Sequence, residues 1–283
     1  MRIGSDEHKT LFCRWFIDTH RRYAPEDLPW PELDQASLDR LRAVPIWSSA
    51  LAVEKRAGKL VTGFASTQSD PLLREAIALQ GVEEDRHGRI LATMLDRYGL
   101  TVEEEQLPYD TSERCFIEFG YKECLDAFMG YGAFRLARDA QFLPEPFMSI
   151  FVDFMHEETR HIIFFVNWIS YQRAQRGEPL VKQAFDTVTG YLKAFRVLTS
   201  TVQGANGDSG FMGGGDAFGD MSVANFLRTC VRENDLQMGQ FNSGLLRPWV
   251  IPALARTALG VIHAADRVHY VAHETKNGAT TSG

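Results

Sequence analysis

The amino-acid sequence predicts an all-α protein, and two observations lead to this prediction. Long alternating runs of Val, Ile and Thr, which are typical of β-strands, do not occur, whereas apolar residues recur at intervals of three and four along the chain. Helix start and stop signals frame some of these stretches, with Asp70 and Pro71 before one of them and Gly99 after it. The sequence therefore favours amphipathic helices packed around an apolar core.

Composition and charge narrow the class of protein. The chain has 283 residues, of which 45% are apolar and 24% charged, as expected for a soluble globular protein with a sizeable core. Its net charge of −7 and the lack of a Lys/Arg block disfavour a nucleic-acid partner. Residues 1–10 lack a secretory signal, and the apolar stretch 162–166 is too short to span a membrane. We therefore expect a cytoplasmic protein with no membrane partner.

The four cysteines are widely spaced, which excludes a zinc knuckle and a dithiol motif. We expect all of them to be reduced and most of them to be buried. These residues are Cys13, Cys115, Cys124 and Cys230.

The first 45 residues form a predicted N-terminal helical extension. A first helix, α1, is expected over Asp6–Tyr23, followed by an extended connector at residues 24–31 that contains three prolines. A short helix, α2, is expected over Gln35–Ala43.

Residues 46–176 contain four long predicted helices. The helix α3 should cover residues 46–65, and α4 should cover residues 71–98, with Asp70 as its N-cap and Pro71 in its first position. The helix α5 should begin near Ser112 and end before Pro144. The helix α6 should run from Pro146 to about Arg176, where Gly177 and Pro179 stop it.

Residues 177–275 form a predicted C-terminal helical extension. It should contain α7 over residues 180–202, α8 over 222–245 and α9 over 252–272, with a disordered tail at 276–283. A glycine-rich loop at residues 204–220 lacks the Lys-Ser/Thr ending of a phosphate-binding loop. We interpret it as a flexible or functional loop, such as a lid or a substrate wall.

Two copies of a Glu-x-x-His pattern carry the functional prediction. Glu84 and His87 lie in the middle of an apolar stripe on α4, and Glu158 and His161 do so on α6. Residues three apart on a helix project from nearly the same side, so each Glu and His can face one point. A charge within a core stripe is costly unless it is paired or bound to a metal. The two copies, separated by 74 positions, thus predict a buried metal site.

The helices α3 and α5 each offer a further carboxylate on an apolar stripe, Glu54 and Glu123. Glu118 and Asp126 are rivals on α5, but both lie four residues from Lys122, which indicates an exposed charged face. Small residues follow the two glutamates on their stripes, and they indicate either close helix packing or a substrate cavity beside the metals. They are Gly58, Ala127 and Gly130.

Charge and donor chemistry indicate which metal ions fit. Four ionised Glu and two neutral His carry four negative charges, which two divalent cations would balance. Oxygen-rich ligands with one imidazole per metal favour iron or manganese over zinc. The neighbouring carboxylates differ, because Glu83 has Arg86 three residues on and Glu157 has Arg160. We interpret both as solvated surface pairs.

This pattern resembles that of the ferritin-like di-iron carboxylate superfamily, in which Glu, Glu-x-x-His, Glu and Glu-x-x-His lie on four helices. The resemblance covers residues 46–176 and implies a ferritin-like four-helix bundle with extra N-terminal and C-terminal helices. It implies that Glu84 and Glu158 bridge the two metals. The full implied ligand set is Glu54, Glu84, His87, Glu123, Glu158 and His161.

One position departs from a branch of this superfamily. Arylamine N-oxygenases of this type carry an extra His four residues before the last Glu, where this chain has Phe154. An N-oxygenase activity is therefore not what the resemblance favours.

Oxygenases, desaturases, radical-generating reductase subunits and iron-storage proteins share this bundle. Our leading hypothesis among them is an O2-dependent di-iron oxidase or oxygenase that acts on a small organic substrate. The cofactor would be two Fe ions, with Mn or a mixed Mn/Fe pair as alternatives. The electrons would come from a separate electron-donor protein or from the substrate itself, and the chain is a candidate homodimer. Phe128, Phe151, Phe154 and Phe165 would form apolar walls around the site. Two alternatives stay open: a non-catalytic iron-binding or iron-handling protein, and a metal-free helical binding module.

Overall fold

The protein is all-α throughout the part that the structure describes. The computed structural model describes residues 1–103, 105–204 and 222–279, and of residues 199–204 and 266–279 it describes the backbone alone. These ranges contain nine α-helices, a 3-10 turn at Pro25–Asp27 and no strand. The helices are α1 Asp6–Asp18, α2 Gln35–Ala43, α3 Trp47–Ser66, α4 Pro71–Arg97, α5 Glu113–Asp139, α6 Glu145–Gln175, α7 Leu180–Gly204, α8 Val223–Gly239 and α9 Val250–Ala279.

The helix boundaries mostly follow the predicted ones, with differences at four C-terminal ends. The helix α1 ends at Asp18 instead of Tyr23, because Thr19 caps it with its amide and its hydroxyl, both of which donate to the Trp15 carbonyl. The helices α5 and α8 end four and six residues early. The helix α9 continues to Ala279, through the first residues of the predicted disordered tail, and the glycine-rich loop and residues 280–283 lie outside the described residues.

Polar caps start several of the helices. Asp70, the predicted cap of α4, accepts hydrogen bonds from the amides of Leu72 and Leu73 at 2.9 and 3.1 Å. It also accepts one from the Lys9 ammonium at 2.6 Å, which ties α1 to the start of α4. Ser112 caps α5 in the same way by accepting from the Cys115 amide. These contacts satisfy amides that have no partner inside the helix.

The helices α3 to α6 contact one another in a closed ring, in which α3 touches α4 and α5, and α6 touches the same two helices. The pair α3 and α4 is the closest, because glycines lie at its crossing. A Cβ on Gly58 would lie 3.1 Å from the Asp85 amide, and a Cβ on Gly81 would lie 2.9 Å from the Thr62 amide. Of the two interpretations of Gly58, close helix packing is therefore confirmed.

The apolar core is divided into two large clusters, and polar residues lie between them. Along α4, Ile77 belongs to one cluster and Ile90 to the other, so Glu84 and His87 lie in the interval. Along α6, Ile150 and Ile162 belong to the two clusters in the reverse order. The predicted ligands thus occupy a buried polar layer between two apolar layers.

Three of the four cysteines are buried and all four are free, as predicted. Among the described residues, no helix is both long enough and apolar enough to cross a membrane.

Candidate metal centre

Four predicted ligands converge at the centre of the helix ring. Each of the four contributes one oxygen or nitrogen atom to a group in which all atoms lie within 4.8 Å of one another. None of the four residues is more than 7% exposed. They are Glu84, His87, Glu158 and His161. The residues of the twin pattern therefore do meet, and the group they form could hold a metal ion.

The two single glutamates lie beside this group. An oxygen of Glu54 lies 3.7 Å from Nδ1 of His87, and 17% of the Glu54 side chain is exposed. Glu123 is buried, and its carboxylate lies near enough to that of Glu158 for each to affect the pKa of the other. All six predicted residues are thus in one place, with Glu54 on the side that solvent can reach.

The imidazole nitrogens that face the group lie close to its carboxylates, but these contacts do not have the geometry of hydrogen bonds. Nδ1 of His87 lies 2.8 Å from the Glu158 carboxylate, and Nδ1 of His161 lies 3.1 Å from that of Glu84. Neither Nδ1 atom makes a hydrogen bond, although both are buried, and the same holds for Oε1 of Glu158. Buried polar atoms without partners are rare in folded proteins. Their common direction fits a cation held between them.

The other nitrogen of each imidazole is held by a carboxylate from the opposite helix. Nε2 of His87 lies 3.0 Å from Glu157, and Nε2 of His161 lies 2.8 Å from Glu83. Such a contact fixes the ring orientation and leaves Nδ1 free to bind a metal. The prediction of solvated surface pairs for Glu83 and Glu157 is therefore wrong.

Each of these carboxylates also binds an arginine across the interface between α4 and α6. Arg86 donates to Glu157 at 2.5 Å, and Arg160 donates to Glu83 at 2.5 Å. Both carboxylates are fully buried, Arg160 is fully buried and Arg86 is 3% exposed. The predicted pairing of each Glu with the Arg three residues on is thus replaced by a crossed pairing between the helices.

The N-terminal segment closes the outer side of this crossed arrangement. Arg160 donates to the Phe16 carbonyl and lies over its ring, and Arg86 lies 4.2 Å from the centre of the Tyr23 ring. His20 reaches Glu83 at 2.6 Å with Nδ1. The early end of α1 allows this, because residues 19–23 leave the helix and lie across the buried pairs.

Burial and charge shift the pKa of the groups in this layer. Burial raises the pKa of Glu54 to about 7, with a further contribution from the Glu158 carboxylate, and raises that of Glu123 well above its usual range. Burial alone would lower the pKa of His161, but the carboxylates of Glu84 and Glu83 outweigh it and raise the pKa to about 10. The pKa of His87 is raised in the same way. Glu54 and Glu123 therefore favour their neutral form and the imidazoles their protonated form, whereas contact with His87 outweighs burial at Glu158 and lowers the pKa of that carboxyl to about 2.

The rivals on α5 have other partners. Glu118 pairs with Arg114 and Lys193 at the surface. Asp126 pairs with Lys122, as the sequence indicated, although this pair is only partly exposed. The choice of Glu123 over both rivals agrees with its place beside Glu158.

An apolar cavity of about 290 Å³ adjoins the site. Glu54, Gly130, Phe151 and Phe154 line it, so Gly130 borders a cavity, and two of the four aromatic residues predicted to surround the site lie in its wall. The Phe154 ring is stacked on His87 with 3.9 Å between the ring centres. The other two predicted walls lie elsewhere: Phe165 packs on Tyr121, and Phe128 belongs to a separate apolar cluster.

The sequence contains one signal that would have identified the crossed pairs. The repeat is longer than Glu-x-x-His, because residues 83–87 and 157–161 both have the form Glu-Glu-x-Arg-His. A Glu and Arg pair at the surface would not be expected to recur at the same offset of 74 positions as the buried Glu-x-x-His pattern. Gln80, which donates to Glu84 at 3.1 Å, has no counterpart in the second copy and leaves no such signal.

The fold and the site together define an all-α protein with a buried glutamate and histidine group that could bind a metal ion. Comparison of the chain with protein-family models, with curated proteins and with solved structures gives no match.

Proposed function

We propose that the protein is an O2-dependent oxidase or oxygenase that holds two metal ions in a ferritin-like four-helix bundle formed by residues 46–176. The observation that carries this proposal is the pair of buried imidazoles whose Nδ1 atoms lie 2.8–4.0 Å from the carboxylates of Glu54, Glu84 and Glu158 without hydrogen-bond geometry. Glu157 and Glu83, which lie outside that group, fix the orientation of the two rings through contacts with their Nε2 atoms. The closed ring of contacts among α3 to α6 supports the bundle.

The donor set fits two iron or manganese ions. Glu54, Glu84, His87, Glu123, Glu158 and His161 would be the ligands. Hard and borderline divalent cations prefer carboxylate and imidazole donors, and two of them would balance the four carboxylates. Two reduced iron ions bound there would supply the electrons with which O2 is activated.

The protein's own residues provide the surroundings that this chemistry needs. Glu83 and Glu157 would each hold the proton of a ligand histidine at Nε2, so that Nδ1 keeps its lone pair for the metal. Arg160 and Arg86 would balance the charge of these outer carboxylates. The apolar cavity would bind an organic substrate and exclude water from the reacting side. A separate electron-donor protein would reduce the metals between turnovers.

Anaerobic loading with iron(II), followed by exposure to O2, tests the proposal. We expect about two irons per chain by elemental analysis and rapid O2 consumption by the loaded protein. Glu84→Ala and His161→Ala should lower the iron content to less than one per chain. Asp85→Ala is the matched control, because Asp85 neighbours Glu84 on α4 but has a 71% exposed side chain. It should bind iron as the unaltered protein does.

Two results would contradict the proposal and favour the other functions. Less than one iron per chain, unchanged in Glu84→Ala and His161→Ala, would indicate a metal-free binding module. Full iron loading in a large hollow assembly, with O2 consumed only in proportion to the iron oxidised, would indicate an iron-handling protein. Size-exclusion chromatography and an oxygen electrode distinguish these outcomes.

A further inference from the structure

The cavity beside the candidate metal centre carries an inference about the substrate, which rests on the proposed function. It is lined by segments of all four helices α3 to α6 and by the links before α3 and after α5. It adjoins the predicted ligands directly, since Glu54 lies in its wall and Phe154 separates it from the His87 ring. A molecule bound there would lie next to the metals.

The wall chemistry restricts what the cavity can bind. Glu54 is the one ionisable side chain that lines it, and the others are aliphatic, aromatic or Met, apart from one Gly. The indole N–H of Trp47 is already donated to the Leu41 carbonyl at 2.8 Å. A polar or charged group inside the cavity would therefore lose its water without gaining side-chain hydrogen bonds from these walls. Apart from the carboxyl of Glu54, the walls fit hydrocarbon.

We propose that this cavity binds an uncharged hydrocarbon segment of about ten carbon atoms, with any polar group of the substrate left at the mouth. The size follows from the volume of about 290 Å³ and a share of about 30 Å³ for each water-sized group. Ile46, which lines the cavity and is 36% exposed, marks the mouth, and Glu54 and Phe154 mark the inner end. The reacting carbon of the substrate would thus belong to its apolar end.

Gly130 offers a way to fill the cavity without disturbing the ligands. A Cβ on Gly130 would lie 3.5 Å from the terminal methyl of Met155 and meet no other atom within 4 Å. Gly130→Leu therefore places a side chain in the cavity. Gly239→Leu is the matched control, because a Cβ there meets nothing within 4 Å and the residue does not line the cavity.

The test is fluorescence titration with N-phenyl-1-naphthylamine, a neutral apolar probe, together with competition by two ten-carbon acids. We expect one saturable probe site per chain, retained in Gly239→Leu and weakened at least about tenfold in Gly130→Leu. Decanoic acid should displace the probe from the metal-free protein. Decanedioic acid should do so at least about tenfold less well, because its second carboxylate would lie among apolar side chains beside Glu54.

Gly130→Ala keeps the proposal testable if the leucine variant does not fold. One added methyl group should weaken the probe by a smaller factor while circular dichroism stays unchanged. Equal probe binding in Gly130→Leu and Gly239→Leu would overturn the inference, as would equal displacement by the two acids. Iron content separates the two proposals: iron without a probe site overturns the cavity inference alone, and a probe site without iron overturns the di-iron function alone.

Discussion

The crossed pair of Arg86 and Glu157 gives the sharpest test of how the buried layer is held together. Glu157→Gln keeps the shape of the side chain and removes its charge. Glu157 is fully buried and accepts from Arg86 at 2.5 Å and from His87 at 3.0 Å, so the substitution leaves the guanidinium buried without a counter-charge. Removing one partner of a buried ion pair costs about 3–5 kcal/mol, and we expect a loss of that size in the free energy of unfolding.

A double variant separates stability from metal binding. In Arg86→Met with Glu157→Leu, the guanidinium and the carboxylate are removed together, so most of the stability lost in Glu157→Gln should return. Nε2 of His87 would still lack its carboxylate in this variant. We therefore expect the affinity for iron(II) to stay about 10–100-fold lower.

Urea unfolding of metal-free protein measures the stability, because bound metal would add its own stabilisation to the folded state. Asp85→Asn is the control, since it removes an exposed pair with Arg89 on the same helix, and it should cost less than about 1 kcal/mol. Equal losses in Glu157→Gln and Asp85→Asn would refute the reasoning. Full recovery of iron affinity in the double variant would refute the positioning role of Glu157.

Three further predictions concern pH, capping and packing. Burial raises the pKa of Glu54 to about 7, so this carboxylate gains its charge as pH rises through that value. The affinity for iron(II), measured by competition titration, should therefore rise around pH 7. An affinity that does not change with pH in this range would contradict the prediction. Asp70→Ala should lower the free energy of unfolding by about 1 kcal/mol, because α4 loses its cap; no change would show that the cap contributes nothing. Gly81→Ala should destabilise the protein by about 1–3 kcal/mol, because its Cβ would meet the Thr62 backbone. Gly260→Ala, which has open space around it, should stabilise the protein by up to about 1 kcal/mol. Equal effects of the two substitutions would contradict the close packing of α3 against α4.

The helices and the convergence of the site were predictable because both depend on local periodicity. Stepping by three and four along α4 puts Glu84 and His87 on the stripe of Ile77 and Leu91, and a helix permits no other arrangement. The same rule chose Glu84 over Glu83 as the residue that faces the centre. It could not show that Glu83 is also buried, because α1 and the segment after it cover that side of α4.

The crossed ion pairs were not predictable from spacing. Arg86 lies three residues from Glu83, and this local partner is the one that helix rules favour. The actual partner, Glu157, is 71 residues away and becomes available only when α4 and α6 cross. Burial favours the distant partner. A fully buried carboxylate such as Glu157 needs hydrogen bonds from several sides, and Arg86 and His87 on the opposite helix supply these bonds together.

The two copies of the pattern differ at one position that contacts the site, and this difference makes the two sides of the site unequal. The Glu-x-x-His ligands, the outer carboxylates and the arginines of α4 recur on α6 at an offset of 74, but Gln80 on α4 corresponds to Phe154 on α6. Gln80 donates to Glu84, whereas Phe154 covers the His87 ring and lines the cavity. A symmetrical pair of metals would therefore have a polar side and an apolar side. Under the proposed function, a hydrocarbon substrate would approach from the apolar side, and it would then react at the half of the site formed by His87 and Glu54.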